Sequence, residues 1–157
     1  MKIESLNIPF QILSDVGELD EMDAKLLGAA KKAINEAYAP YSKFRVGAAI
    51  RLANGEMITG SNQENASFPA GICAERVALS AASALYPGIP VTELALTYIN
   101  ESGNSNKPIS PCGICRQTLA EYEQRYGQSV RLILGGNSGE VYLIKKASDL
   151  LPLAFRL

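Results

Sequence analysis

The 157-residue sequence contains no histidine, and it has only three cysteines. Without histidine, no catalytic triad that uses an imidazole base can form, and any metal site has to use other ligands. The sequence also lacks an apolar run long enough to cross a membrane. Its first residues include the acidic Glu4 and have no apolar core segment of a signal peptide. An odd number of cysteines without an export signal predicts reduced thiols and a cytoplasmic protein rather than disulfides.

A strongly basic segment is also missing. The net charge is −1, and the densest basic groups are the pairs Lys31-Lys32 and Lys145-Lys146. Proteins that bind nucleic acid usually present a basic face, so we expect a small-molecule partner, with no nucleic acid and no membrane. A content of 47% hydrophobic and 20% charged residues is typical of a globular protein, and the length suits one domain.

The first 22 residues differ from the rest of the chain. A short apolar patch at 8–13 is followed by a series of acidic residues between 15 and 23. Acids favour the positive end of a helix dipole, so we interpret the segment as a packed strand and a helix start rather than as an interaction arm. We therefore predict an N-terminal extension at 1–22 and a single domain at 23–157.

The remaining sequence alternates between helical and strand patterns. Apolar residues at helical spacing predict a helix over 23–38, ended by Pro40, and Asn54-Gly55 predicts a hairpin between strands at 45–52 and 56–60. The further predicted elements are helices at 74–85 and 112–126, strands at 93–99, 129–135 and 140–145, and a short helix near 147–151. This order predicts an α/β protein of three layers, α-β-α, around one mixed five-stranded sheet.

All three cysteines lie at the starts of two predicted helices. Free backbone N–H groups and the positive end of the helix dipole lower the pKa of a thiol there and favour the thiolate that binds metal. Cys112 and Cys115 are three residues apart and point the same way, so Cys73 has to arrive from the other helix to complete the site. Three protein ligands with a fourth position left for water are typical of a catalytic zinc.

Two other interpretations of these cysteines are possible. A lone Cys-x-x-Cys can be a redox pair, but that gives Cys73 no role, or half of a structural zinc site, which normally has four Cys or His ligands. The ligand count therefore favours a catalytic zinc. Glu75 lies two residues beyond Cys73 and should face another way, which suits a carboxylate that contacts the metal-bound water.

The pair Cys-Ala-Glu and Pro-Cys-x-x-Cys resembles the signature of the zinc deaminases in its all-cysteine form. From about residue 24 onward, the chain is similar to the small homotetrameric cytidine deaminases of the cytidine and deoxycytidylate deaminase superfamily. The matching segments are 38–48, 62–66, 71–76, 111–117 and 150–155, in the order of that family.

The resemblance implies hydrolytic deamination of cytidine and 2′-deoxycytidine to the uridines, with release of ammonia, in pyrimidine salvage. It implies one Zn²⁺ on Cys73, Cys112 and Cys115, which lowers the pKa of a bound water so that hydroxide attacks C4. Glu75 would take one proton from that water and deliver it to N3, and would later protonate the departing ammonia. Arg76 would hydrogen-bond the ligand sulfurs and withdraw charge from them.

The resemblance also implies a set of substrate contacts. Asn62 and Glu64 match the pair that binds the ribose 3′-hydroxyl, and Phe44 matches the aromatic of the base pocket. Phe155 matches an aromatic that reaches the site of a neighbouring subunit, which implies a homotetramer. Phe68 stands where the family often has tyrosine, so one hydroxyl near the sugar should be missing. The implied substrate-binding residues are Phe44, Asn62, Glu64, Phe68, Ala74 and Phe155.

Three other functions compete with this one. The substrate could be another cytosine nucleoside such as blasticidin S, or a polynucleotide, or the chain could be a zinc-stabilised interaction domain without activity. Asn62 and Glu64 favour a free nucleoside with an open 3′-hydroxyl, and the net charge of −1 disfavours a polynucleotide. Glu75 would have no purpose in a domain without activity.

Overall fold

The computed structural model describes residues 1–155 and 157. The strands and α-helices are, in chain order, β1 (Gln11–Leu13), α1 (Glu21–Ala33), β2 (Phe44–Leu52), β3 (Met57–Ser61), α2 (Ala74–Leu85), β4 (Val91–Asn100), α3 (Gly113–Tyr126), β5 (Arg131–Gly135) and β6 (Val141–Ile144). Short 3-10 helices lie at Val16–Glu18, Ile34–Glu36, Phe68–Ala70 and Ala147–Leu150. No helix in the described part of the chain has both the length and the apolar character to span a membrane.

The strands form one mixed sheet in the order β1-β6-β5-β4-β2-β3. Strands β4 and β5 are parallel, and every other neighbouring pair is antiparallel. The predicted α-β-α architecture is confirmed, but the sheet has six strands rather than five. The added strand, β1, places Ile12 opposite Tyr142 of β6. The sequence predicts a strand in the apolar patch at 8–13 but does not count it in the sheet, because three residues are too short a run to show the alternation that would place it there.

Helices cover both faces of the sheet. Neighbouring side chains of a strand point to opposite faces, so Ala49 and Ile50 of β2 enter different cores. Ala49 packs with Leu26 and Leu27 of α1, whereas Ile50 packs with Leu79 of α2 on the other side. The second core also contains Leu119 of α3, so α2 and α3 share one face. The two helices that begin at cysteines are therefore neighbours.

A glycine allows α2 to lie directly against the sheet. A Cβ atom at Gly60 of β3 would stand 2.4 Å from the carbonyl oxygen of Ala74 and 2.6 Å from the amide nitrogen of Ala78. Only a residue without a side chain permits this approach of strand and helix backbones. Gly60 thereby sets how closely the first turn of α2 approaches the sheet. This turn follows Cys73 and contains Glu75.

The start of α1 is fixed by acidic side chains, as the pattern at 15–23 indicates. Asp20 is the N-cap, and its side chain accepts a hydrogen bond of 2.8 Å from the amide of Asp23. The buried Asp23 carboxylate receives two hydrogen bonds from the Arg131 guanidinium, at 2.7 and 2.6 Å. This bidentate pair ties α1 to β5.

Candidate active site

The structure brings the three cysteines together at the N-terminal ends of α2 and α3. Cys73 is the N-cap of α2, Cys112 is the N-cap of α3, and Cys115 lies in the first turn of α3. Their three sulfur atoms all lie within 4.8 Å of one another, and the Sγ atoms of Cys73 and Cys112 are 3.7 Å apart. Residues from distant parts of the sequence thus form one compact sulfur cluster.

The environment of the cluster favours a thiolate. A hydrogen bond from the Cys115 thiol is the largest cause that lowers the pKa of Cys73 to about 6, and Cys112 and the charge of Arg76 act in the same direction. The pKa of Cys115 is raised, because its thiol is the donor of that hydrogen bond and is also buried. The surroundings of Cys73 therefore favour its thiolate form.

The cluster has the chemistry of a zinc site. Thiolates are ligands that Zn²⁺ prefers, and three of them leave one position of a tetrahedron for another group. Cys115 is buried, Cys73 is half-buried and Cys112 is exposed, so the cluster has an interior side and an open side. The residues present therefore fit a zinc ion with one accessible coordination position.

Glu75 lies beside the cysteines in a cavity of about 410 Å³ that Cys73 and Cys112 also line. It is only 4% exposed, and burial raises the pKa of its carboxyl. A carboxyl group with a raised pKa keeps its proton at a higher pH than an ordinary glutamate, which suits it to transfer protons. Cavity, sulfur cluster and carboxylate together form a site suited to proton transfer next to a metal.

The half-buried Arg76 follows Glu75 in α2. Its charge is among the causes that lower the pKa of Cys73, so it acts on the cluster through space. The part of the chain that the structure describes contains no hydrogen bond from its guanidinium to a sulfur. The predicted hydrogen bond to a ligand sulfur stays a prediction.

The cavity next to Glu75 collects most of the residues implied by the resemblance. These are Phe44, Asn62, Glu64, Cys73, Ala74, Glu75 and Cys112. A second cavity of about 520 Å³ adjoins it, and both are lined by Asn62, Glu64 and Cys73. Phe68 lines only the second cavity, where it is 77% exposed and its ring meets Tyr41 edge-on at 6.0 Å.

Asn62 and Glu64 are held by the segment at 41–46. The Asn62 side chain accepts a hydrogen bond of 2.8 Å from the Val46 amide and donates one of 2.9 Å to the Phe44 carbonyl. The Oε2 atom of Glu64 accepts hydrogen bonds from the amides of Tyr41 and Ser42, at 2.9 and 3.3 Å. Both polar side chains are thus fixed by backbone at the wall of the cavity.

The two other aromatic residues of the predicted set lie in different places. Phe44 lines the cavity and stacks on Tyr98, with ring centroids 4.8 Å apart. Phe155 is 69% exposed and lies along α3, where its carbonyl accepts a hydrogen bond of 3.0 Å from Gln117. The chain therefore does not bring its own Phe155 to its own cavity, and the predicted contact with a neighbouring subunit stays a prediction.

Several cavity residues escape the sequence analysis. Ser42, Ile109 and Ser110 line the cavity together with Glu75. Ser42 lies within the segment 38–48, and Ile109 and Ser110 directly precede Pro111 and Cys112. Their nearness to those segments is the only signal in the sequence, because a serine or isoleucine in a loop has no distinctive pattern of its own.

Comparison with known proteins agrees with this geometry. Residues 20–127 match the family model described as "Cytidine and deoxycytidylate deaminase zinc-binding region". A cytidine deaminase from Halalkalibacterium halodurans is 38% identical over 130 residues, which are 83% of this chain and 91% of the relative. A blasticidin-S deaminase from Bacillus cereus is 31% identical over 106 residues, covering 66% of this chain and 75% of the relative.

The fold also matches a solved structure. The crystal structure of a cytidine deaminase from Burkholderia pseudomallei superimposes with a TM-score of 0.72 at 40% identity and covers 83% of this chain and 97% of that one. The family model spans both cysteine segments, and the superposition extends the likeness in fold to 83% of this chain. This chain therefore belongs to the cytidine and deoxycytidylate deaminase family.

Proposed function

We propose that this chain catalyses the zinc-dependent hydrolytic deamination of cytidine and 2′-deoxycytidine, which yields the uridines and ammonia and serves pyrimidine salvage. The observation that carries the proposal is the placement of three cysteine sulfurs, all within 4.8 Å of one another, beside the buried Glu75. The relatives named cytidine deaminase support the choice of substrate.

Cys73, Cys112 and Cys115 are the proposed ligands of one Zn²⁺ per chain. When bound, the ion supplies a water molecule of lowered pKa, which is the nucleophile that this hydrolysis needs at neutral pH. Arg76 has the proposed role of offsetting the negative charge of the thiolates, which its effect on the pKa of Cys73 supports.

Glu75 is the proposed proton carrier. Its carboxylate takes a proton from the water that attacks C4 of the cytosine ring and gives that proton to N3. The second proton of the water then leaves with the amino group as ammonia, so one water is consumed for each nucleoside. The raised pKa of Glu75 supports this role, because an acid–base catalyst works best when its pKa is close to the ambient pH.

The other residues of the cavity are proposed to bind the nucleoside. Phe44 and Ala74 would contact the base, and Asn62 and Glu64 would bind the 3′-hydroxyl of the sugar. Phe68 would lie at the outer part of the sugar site, without the hydroxyl that a tyrosine would supply. The common cavity of Phe44, Asn62, Glu64, Ala74 and Glu75 supports this assignment.

The quaternary structure and the compartment belong to the same proposal. We propose a homotetramer in which Phe155 reaches a neighbouring site, and its exposed ring supports this arrangement. Light scattering in solution measures that state. Three free cysteines support a reducing compartment, the cytoplasm. Residues 23–157 would form the deaminase domain, with 1–22 as an extension.

The proposed function is tested by following the absorbance change as cytidine becomes uridine, with Glu75→Gln measured alongside. We expect turnover by the wild type and a fall of about 10²- to 10⁴-fold in kcat for the variant, because general acid–base catalysis contributes about that much. Glu21→Gln is the matched control, since Glu21 also lies in the first turn of a helix but is exposed and belongs to α1. Full turnover by Glu75→Gln would contradict the mechanism.

Blasticidin S is the second candidate substrate, which the Bacillus cereus relative favours. The kcat/KM values for cytidine, 2′-deoxycytidine and blasticidin S decide between the two. A zinc-loaded protein that is inactive on both nucleosides and active on blasticidin S would replace the first proposal by the second.

A further inference from the structure

The Arg116 side chain bridges two stretches of backbone that are far apart in the sequence. Arg116 lies in the first turn of α3, directly after Cys115, and is half-buried. Its Nε donates a hydrogen bond of 2.8 Å to the carbonyl of Pro111, and its Nη1 donates one of 3.0 Å to the carbonyl of Leu150. One guanidinium thus joins the residue before Cys112 to the end of the last 3-10 helix.

The first of these bonds fixes the backbone that leads to a proposed zinc ligand. Pro111 is buried, and proline has no amide hydrogen, so its carbonyl is its only backbone group that can form a hydrogen bond. The backbone amide of Arg116 also donates to the carbonyl of Cys112, at 2.9 Å. The side chain and the amide of Arg116 therefore hold two successive carbonyls at the point where Cys112 enters the sulfur cluster.

The second bond fixes the start of the C-terminal segment, defined here as residues 150–155. In the middle of this segment Leu153 is 95% exposed and has a φ of 57°, so apolar burial contributes little there. The far end is held by the next residue of α3, because the Gln117 side chain donates a hydrogen bond of 3.0 Å to the carbonyl of Phe155. Two neighbouring side chains of α3 thus fasten the C-terminal segment at both ends.

We propose that Arg116 is a positioning residue that couples the zinc site to the C-terminal segment. Through Pro111 it fixes the position of the Cys112 sulfur. Through Leu150 it fixes the segment that contains Phe155. Two different nitrogen atoms of one planar group make these bonds, and a lysine, with the same charge on a single nitrogen, does not reproduce that geometry. The proposal rests on the proposed function and adds a residue to it.

The test compares Arg116→Lys with the wild type by two readings that do not require turnover. The first is the zinc dissociation constant, measured by competition with a chromophoric chelator. We expect it to rise about tenfold, since groups that orient metal ligands contribute about 10- to 100-fold to metal affinity. The second is hydrogen exchange of the backbone amides at 150–155, measured by mass spectrometry. We expect exchange about tenfold faster, as the loss of one hydrogen bond to a charged group predicts.

The coupling requires both readings to shift together in Arg116→Lys. A shift of only one, or of neither, would overturn it. Arg116→Gln is a second variant, whose amide group can still donate to one of the two carbonyls, and the same criterion applies to it. Circular dichroism shows whether each variant is folded before the readings are compared.

Gln117→Ala separates the two readings. Gln117 holds only the far end of the C-terminal segment, so exchange at 150–155 should become faster while the zinc dissociation constant stays at the wild-type value. A zinc affinity lowered as much as in Arg116→Lys would show that a loosened segment is enough to disturb the metal. That result would contradict the role of the bond to Pro111.

Arg125→Lys is the matched control. Arg125 is exposed in the last turn of the same helix, where its guanidinium lies 5.8 Å from the centroid of the Tyr122 ring. The same chemical change at this position should leave both readings unaltered. If exchange in Arg116→Lys rose equally in β5 and in the C-terminal segment, the effect would be a general loss of stability, and the proposal would be wrong.

Turnover of cytidine distinguishes this proposal from the proposed function. A wild type without turnover, whose two readings still shift in Arg116→Lys, would contradict the proposed function and leave the coupling intact. An active wild type whose readings do not shift in the variant would refute the coupling alone.

Discussion

Replacing Gly60 by alanine would place a methyl group between β3 and the first turn of α2. The new Cβ would stand 2.4 Å from the Ala74 carbonyl oxygen and 3.1 Å from the Cβ of Val77. Ordinary contact begins near 3.4 Å, so helix and strand have to separate by about 1 Å, and protein interiors are packed too densely to absorb such a shift freely. Because the clash is with backbone atoms, no side-chain rotation relieves it.

The displacement acts on stability and on activity together. Inserting a methyl group into a packed core costs about 1–3 kcal/mol in the free energy of unfolding. The first turn of α2 contains Glu75 and follows Cys73, so a shift of about 1 Å moves them relative to Cys112 and Cys115 of α3. A misplacement of that size costs about 10²-fold in rate. We therefore expect kcat/KM to fall by more than the unfolding of part of the protein would explain.

The assay measures kcat/KM for cytidine, zinc content and the denaturant midpoint of Gly60→Ala beside those of Gly28→Ala. Gly28 lies in α1, where an added Cβ meets nothing within 4 Å, so the same change should be neutral for activity and stabilise the helix by about 0.5–1 kcal/mol. A Gly60→Ala enzyme with wild-type kcat/KM and zinc content would refute the argument that this contact sets the distance between α2 and β3.

Two further predictions concern the metal and the anchoring of α1. Removing zinc with a strong chelator should abolish turnover and lower the melting temperature. A thiol reagent should then titrate all three cysteines. Unchanged thiol reactivity would contradict the assignment of Cys73, Cys112 and Cys115 as ligands. Asp23→Asn should lower the free energy of unfolding by about 3 kcal/mol, because it breaks the bidentate pair with Arg131, whose carboxylate partner is buried. Urea denaturation measures this change. A loss below about 0.5 kcal/mol would refute the structural role of the pair.

The local patterns of the sequence predict most elements well, because each depends on neighbouring residues. The helix at 74–85 is found at Ala74–Leu85, and the Asn54-Gly55 signal gives the antiparallel pairing of β2 and β3, with Gly55 at a φ of 88°. The predicted helix over 23–38 ends earlier, since residues 34–36 form a 3-10 turn. The six-stranded sheet differs from the predicted five strands because the strand of the N-terminal extension joins the sheet as β1, and its pairing with β6 is not visible in its own pattern.

The sequence alone indicated the candidate ligands and the candidate proton carrier, because an absence of histidine and a pairing of Cys-Ala-Glu with Cys-x-x-Cys are visible in the order of residues. Only the tertiary structure decided that Glu75 is buried, that Glu64 is held by the backbone amides of residues 41–42, and that Phe155 lies away from its own cavity. These properties arise from contacts between residues more than 20 positions apart. Burial and hydrogen-bond partners of that kind depend on how the layers pack, which no local pattern encodes.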